Sequence, residues 1–438
     1  MKKKLIFCVC LMLCVILCAS TIPFSAFSYD CPVESTSRAV LVANLNTDTF
    51  VYEKNSSGVR YQSYLTNIMT FIVARNNVAD IEEKVEIKKS VLDAIAEPDN
   101  SLDKYVGKTL TVKDLLYCIM LTNGKDASFV LADYVSKGKV DDFVALMNKK
   151  ARDLGCKKTK FTSPAAVFDK TQYTTCKDLY KIIKCALDTP DYKEISGAVE
   201  YTISTKKMPD KTITTNNSLL KKKSPYYFTY TENGKYGVDK VARGNLVSVA
   251  NYNNLDYVCI TLGSQVSSEH NAFTEAKLFF SWVYLYLGNK QIISDSSVLK
   301  TVTATTPWGE TDINLTVGED IVRSVPDTYT ADMITIKVDE TLDVKLPVFE
   351  GQNMGTANLY YDGRYYETID LISDSSVGVS MYGDITSFLG SMFDATLTPS
   401  KEQESEEQSA LEETQSPTQK TDKSSKKSKD TKSSQQGE

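Results

Sequence analysis

Apolar positions along this chain recur in two different periods, and the periods change in a fixed order. RAVLVAN at 38–44 is an apolar run of strand length; Asn46, Thr47 and Asp48 supply a turn, and Thr49 to Glu53 returns as a second strand. Leu65, Ile68, Met69, Ile72 and Val73 then follow the i, i+3, i+4, i+7, i+8 pattern of an amphipathic helix. Thr111 with Asp114 has capping-box spacing ahead of LLYCIML, and Thr175 with Asp178 repeats it ahead of LYKIIKCAL. Asp126 to Val135 and Asp141 to Leu154 read as two more helices. Strands return at Leu246 to Ala250 and Asp256 to Leu262, and a helix from about Ala272 to Leu287 closes the unit. Strands, then helices, then strands and a final helix predict an α/β (α+β) domain over 33–290, one sheet with helices on its faces.

The period shortens over 292–386. INLTV, MITIKV, LDVKLPVF and ANLYY alternate and are separated by Gly, Asp, Asn and Pro, which predicts a small all-β sandwich. Ile385, Phe388, Leu389, Met392 and Phe393 form a short amphipathic run, read as a packing tail, with weak envelope association as the other reading. Residues 396–438 are almost free of apolar side chains and are expected to be disordered. An acidic block (Glu402 to Glu413) precedes a basic one (Lys420 to Lys432); a solvated spacer is the leading reading, binding to anionic wall polymers the second.

The N-terminus adds an address. Lys2, Lys3 and Lys4 precede an uncharged apolar run from Leu5 to Cys18, and Ala26 and Ser28 place small residues before Tyr29. This is the pattern of a cleaved secretory signal at 1–28, and the run is short of the roughly 20 apolar residues of a spanning helix. A secreted, extracellular or cell-envelope location follows as an expectation. The net charge of -6 argues against nucleic acid as a partner. Beyond the signal the cysteines are Cys31, Cys118, Cys156, Cys176, Cys185 and Cys259; Cys118 and Cys259 lie in apolar runs and read as buried thiols. With no CxxC pattern and His270 the single histidine, neither a metal nor a cofactor is expected.

The stretch RYQSYLTNIMT opens the first apolar helix, and around it the chain resembles the serine-type D-alanyl-D-alanine carboxypeptidases, the low-molecular-weight penicillin-binding proteins. VYEKN, NGKDASFVLADYV, FTSPAAVFD, TTNNSLL and GKYGVDKVARGNLVSVA carry the likeness in order, from about Ala39 to Leu287. The resemblance implies a penicillin-binding-protein/β-lactamase-like domain with a β domain behind it. It also implies three motifs: an SxxK pair one helical turn apart, an SxN-type loop, and a KTG-type strand that receives the terminal carboxylate of the peptide.

Each motif is altered here. Tyr64 and Asn67 stand where the Ser and Lys belong; a phenol is bulky and mostly protonated, and an amide is no base. Ser63 lies one residue early, about 100° around the helix. The SGN-like loop is Asn123-Gly124-Lys125, and the KTG-like strand is Lys235-Tyr236-Gly237, which keeps the lysine and the glycine. Ser163 and Ala166 replace the Asn and Gly of a further family loop. No catalytic role is therefore expected at Tyr64, Asn67, Asn123 or Lys125, while Lys235, Tyr236 and Gly237 remain candidates for substrate binding. The reading is a pseudoenzyme that binds peptidoglycan stem peptides or a wall-synthesis protein. Two alternatives stand beside it: an active serine-type carboxypeptidase, and a structural cell-surface protein. For the cleft, Lys235 attracts a carboxylate, or it is a solvated strand residue and Tyr64 and Tyr236 close the groove together.

Overall fold

The computed structural model describes residues 29–205, 208–267, 271–306, 309–338 and 344–378. The signal-like segment, His270, the run at 385–393 and the tail lie outside the described residues.

The chain opens with β1 (Ala39–Asn44) and β2 (Phe50–Lys54), then α1 (Thr66–Asn76), β3 (Lys84–Glu86), α2 (Lys89–Asp93) and β4 (Thr109–Thr111). A helical block follows: α3 (Val112–Leu121), α4 (Lys125–Val135), α5 (Val140–Asp153), α6 (Cys176–Leu187) and α7 (Tyr192–Gly197). After the hairpin β5 (Glu200–Thr205) and β6 (Met208–Thr214) come β7 (Thr231–Asp239), β8 (Arg243–Tyr252), β9 (Leu255–Ser264) and α8 (Ala272–Tyr286). The main sheet has the order β2-β1-β9-β8-β7, antiparallel throughout, with Leu41 opposite Ile260 and Lys235 opposite Val247.

Side chains on successive strand residues point to opposite faces, and both faces are covered. Leu41, Ala43, Val247, Val249, Val258 and Ile260 join the core beneath the helical block. Val40, Val42, Leu246, Tyr257 and Cys259 join a second core against Phe273, Ala276, Phe279 and Val283 of α8. This double burial is why RAVLVAN is apolar without alternation.

The first helix departs from the expected amphipathic form. Every residue of α1 from Thr66 to Ala74 is buried, because α3, α4, α5 and α6 all pack against it. The capping box at Thr111 is complete, with Asp114 and Thr111 each accepting the other's backbone N–H. At α6 only half of the expected box forms: Thr175 Oγ1 accepts from Asp178 N, but the Asp178 carboxylate takes Lys157 N, Lys158 N and Thr159 Oγ1 instead. Cys118 and Cys259 are buried free thiols, as expected.

Among the described residues the C-terminal side is all β apart from a short turn at Ala331–Met333: β10 (Leu287–Ile293), β11 (Lys300–Thr306), β12 (Gly309–Thr316), β13 (Ile321–Pro326), β14 (Ile334–Val338), β15 (Asn353–Tyr361) and β16 (Arg364–Ser373). β10 pairs with β13, and β14, β15 and β16 form an antiparallel meander. Two compact units are distinguished. The first runs to Lys300 and adds Leu315–Leu342 and Asn353–Ile372; the second comprises Thr301–Asn314, Asp343–Gln352 and the chain from Ser373.

Candidate functional site

The approach to α1 is a strained one. Ser63 has φ +50, a conformation that costs a residue with a Cβ, and starts a turn of 3-10 helix over Ser63–Leu65. Gln62 and Ser63 are buried, and among the described residues neither the Gln62 amide nor Ser63 Oγ finds a hydrogen-bond partner. The turn brings Tyr64 onto β7, where a Cβ built on Gly237 would lie 2.4 Å from Tyr64 Cβ. Only glycine fits beneath that ring. Burial pushes the Tyr64 phenol above its ordinary value; the carboxylates of Asp239, Asp99 and Glu97 add to this, and a hydrogen bond with Asn123 opposes it. The phenol is therefore neutral at physiological pH.

One turn further on, Asn67 is fully buried and committed. Its amide nitrogen donates to the carbonyls of Ile119 and Asn123, both at 2.8 Å, and Ser128 Oγ donates to its carbonyl at 3.4 Å. The Asn67 amide thus clamps α1 to the joint between α3 and α4.

That joint is the Asn123-Gly124-Lys125 loop. Gly124 has φ +50, and a Cβ there would stand 2.6 Å from Cys118 O, so this glycine too is required by a close approach. Asn123 Oδ1 accepts from Asn216 Nδ2 at 3.2 Å. Lys125 Nζ pairs with Glu97 at 3.2 Å, and its backbone N–H donates to Asp99 at 2.8 Å. Asp99 and Asp126 form a reciprocal clasp: Asp126 Oδ1 accepts from Asp99 N, and Asp99 Oδ1 accepts from Asp126 N. Burial and the neighbouring Asp99 push the Asp126 carboxyl up to about 6.

On β7 the three candidate residues separate. Lys235 is 1% exposed, and its Nζ donates to Met120 O at 3.0 Å and to Thr122 O, the free carbonyls at the C-terminus of α3. Desolvation lowers its pKa to about 7. The reading of Lys235 as a solvated strand residue is thus corrected. Tyr236 points to the other face of the sheet, where its ring lies 4.3 Å from Phe273 of α8. Tyr64 and Tyr236 therefore do not close one groove, because neighbouring strand residues face opposite ways. Ser163 keeps a turn role, its Oγ accepting from Ala165 N at 3.1 Å.

The structure thus gathers Tyr64, Asn67, Asn123, Lys235 and Gly237 around one junction and sends Tyr236 elsewhere. The sequence reading missed Asn216, Glu97 and Asp99. Asn216 lies in the TTNNSLL stretch and could have been singled out there; Glu97 and Asp99 carry no local signal. The phenol has a hydrogen bond with Asn123 and feels the carboxylates of Asp239, Asp99 and Glu97, while the amines of Lys125 and Lys235 are engaged with Glu97 and with the carbonyls of α3.

Comparison with known proteins identifies the family and the fold. Residues 26–266 match the family model described as D-alanyl-D-alanine carboxypeptidase. The chain is 26% identical over 334 residues to the D-alanyl-D-alanine carboxypeptidase DacF of Bacillus subtilis, covering 74% of this chain and 82% of that one. It is 24% identical over 363 residues to DacC of Escherichia coli, covering 80% and 86%. Penicillin binding protein 5 from Haemophilus influenzae shares the fold with a TM-score of 0.63 at 20% identity, over 80% of this chain and 100% of the other. With its sheet, its helical block and more than half of its length matched, the chain belongs to the D-alanyl-D-alanine carboxypeptidase family.

Proposed function

We propose that this protein is an exported, catalytically silent member of its family that binds peptidoglycan stem peptides or a wall-synthesis protein. The observation that carries the reading is the pair Tyr64 and Asn67. Acyl transfer needs a nucleophile activated by an adjacent base. Here the nucleophile position holds a phenol whose proton is held more tightly than usual, and the base position holds an amide spent on two backbone carbonyls. Losing either member of such a unit costs several orders of magnitude in rate, and both are replaced. A well-packed sheet and helical block around this altered pair support a scaffold kept for a role other than acyl transfer. The basic and apolar N-terminal run supports export.

Labelling with a fluorescent penicillin tests the catalytic half. No covalent band is expected from the wild-type chain or from Tyr64→Ser, which supplies a hydroxyl but no base. A band that disappears in Tyr64→Phe would overturn the proposal in favour of a working hydrolase. The binding half is tested by titrating a D-Ala-D-Ala-terminated pentapeptide; saturable binding weakened by Tyr64→Trp is expected, and absence of saturation removes the stem peptide as ligand.

A further inference from the structure

A cavity of about 490 Å3 opens in the first compact unit, and none of its lining residues belongs to the junction around Tyr64. Aromatic side chains from three separate stretches line it: Tyr29, Trp282 with Tyr286 of α8, and Tyr361 of β15. Tyr29 and Tyr361 meet edge to face at 5.2 Å, and Tyr29 Oη donates to Ser324 O at 3.0 Å, so this wall is held in place. Tyr286 is 57% exposed and offers its ring to a ligand.

The charged lining residues are Asp30, Asp327, Asp362 and Arg364. Among the described residues, none of these four side chains makes a hydrogen bond or an ion pair. For Asp327 it is the backbone carbonyl, not the carboxylate, that accepts from Lys290 Nζ at 3.0 Å. Burial raises the Tyr361 phenol pKa, and Asp362, Tyr329 and Asp30 add to this.

Three carboxylates, one guanidinium and a nearby lysine amine give a rim of mixed sign. Such a rim favours neither a simple cation nor a simple anion. It is suited to a neutral ligand that carries both donors and acceptors, while the rings require an apolar face. A pyranose meets both demands: its C–H face packs on an aromatic ring, and its hydroxyls donate to carboxylates. An acetamido group adds a carbonyl for Arg364 and a methyl for the aromatic wall. We propose that this cavity binds a neutral sugar, an N-acetylhexosamine unit of a glycan. The inference goes beyond the reading of the Tyr64 junction and does not depend on it.

The test is calorimetric titration of the full chain with N,N′-diacetylchitobiose and its tetrasaccharide homologue. Tryptophan emission provides a second readout, since Trp282 is one of only two tryptophans. Saturable binding is expected, and Tyr286→Ala and Asp362→Asn should each weaken it about tenfold, the size of effect a single well-placed contact carries. Both positions are exposed, and Asp362 has φ +47, a conformation asparagine tolerates, so folding should be retained. Thermal unfolding of each variant checks this. Tyr64→Phe should bind the sugar as wild type does. No saturation up to about 10 mM, where any usable affinity would register, would overturn the proposal. So would unchanged affinity in both variants, or saturation by choline chloride without saturation by the sugar.

Discussion

Tyr64 and Gly237 approach so closely that a methyl group on residue 237 would stand 2.4 Å from Tyr64 Cβ. The contact is to the β-carbon, an atom that serine and alanine also carry. The closeness therefore belongs to the backbone of the turn and strand, and the aromatic ring only extends it. Gly237→Ala is expected to cost about 1–3 kcal/mol, as overpacking of a tight contact does. Tyr64→Ala should not relieve that cost, whereas Tyr64→Gly should recover part of it. Urea unfolding of the single and double variants gives the coupling, and full relief by Tyr64→Ala would show that the ring alone is responsible.

Asn67 should matter for stability. Asn67→Ala leaves the carbonyls of Ile119 and Asn123 without their side-chain donor in a buried site, at a cost of about 1–3 kcal/mol. Asn67→Asp should be worse at neutral pH, since a carboxylate would face two carbonyl oxygens, and should recover on acidification as the carboxylate takes up a proton. Thermal unfolding at pH 7 and pH 5 distinguishes the two. Equal stability of all three chains at pH 7 would mean that the clamp contributes nothing.

Lys235 predicts a pH dependence whose sign can be worked out. Its folded-state pKa of about 7 lies below the ordinary 10.5, so between these values the unfolded chain binds more protons than the folded one. Stability from this residue therefore rises with pH above about 7, by at most about 1.4 kcal/mol per pH unit. Burial raises the thiols of Cys31, Cys118, Cys156, Cys176 and Cys259, which opposes the trend where free thiols ionise, above about pH 8.5. The readout is thus the wild type minus Lys235→Met difference in unfolding free energy at pH 7.0, 7.5 and 8.0. It should shift in favour of the wild type across that range; a constant difference would show that Lys235 keeps its ordinary pKa.

Local features that rest on a few neighbouring residues were legible in the sequence. The capping box at Thr111 formed as its spacing required, and Cys118 and Cys259 were buried as their apolar runs implied. The half-formed box at α6 shows the limit: Asp178 had the right spacing, but Lys157, Lys158 and Thr159 offered it better partners from a loop some twenty residues away. The helix α1 shows the same limit on a larger scale. Its apolar positions have helical spacing, yet no periodicity reveals that Thr66, Asn67 and Thr70 are buried too, because this depends on how many neighbours surround the helix.

What the sequence by itself determined is the chemistry present: a phenol at Tyr64 and an amide at Asn67, and a lysine and a glycine at 235 and 237 on a later strand. Residue identity sets which protons can be moved, and no folding changes an asparagine into a base. Only the tertiary structure decided what these groups do instead. It turned Tyr236 to the far face of the sheet, spent Lys235 on the carbonyls of α3, and made Asn67 a clamp between helices. Each of these outcomes depends on partners 50 residues or more away along the chain, or on the face of a strand that a second layer covers. Such partners are chosen by packing, and packing leaves no local mark in the order of residues.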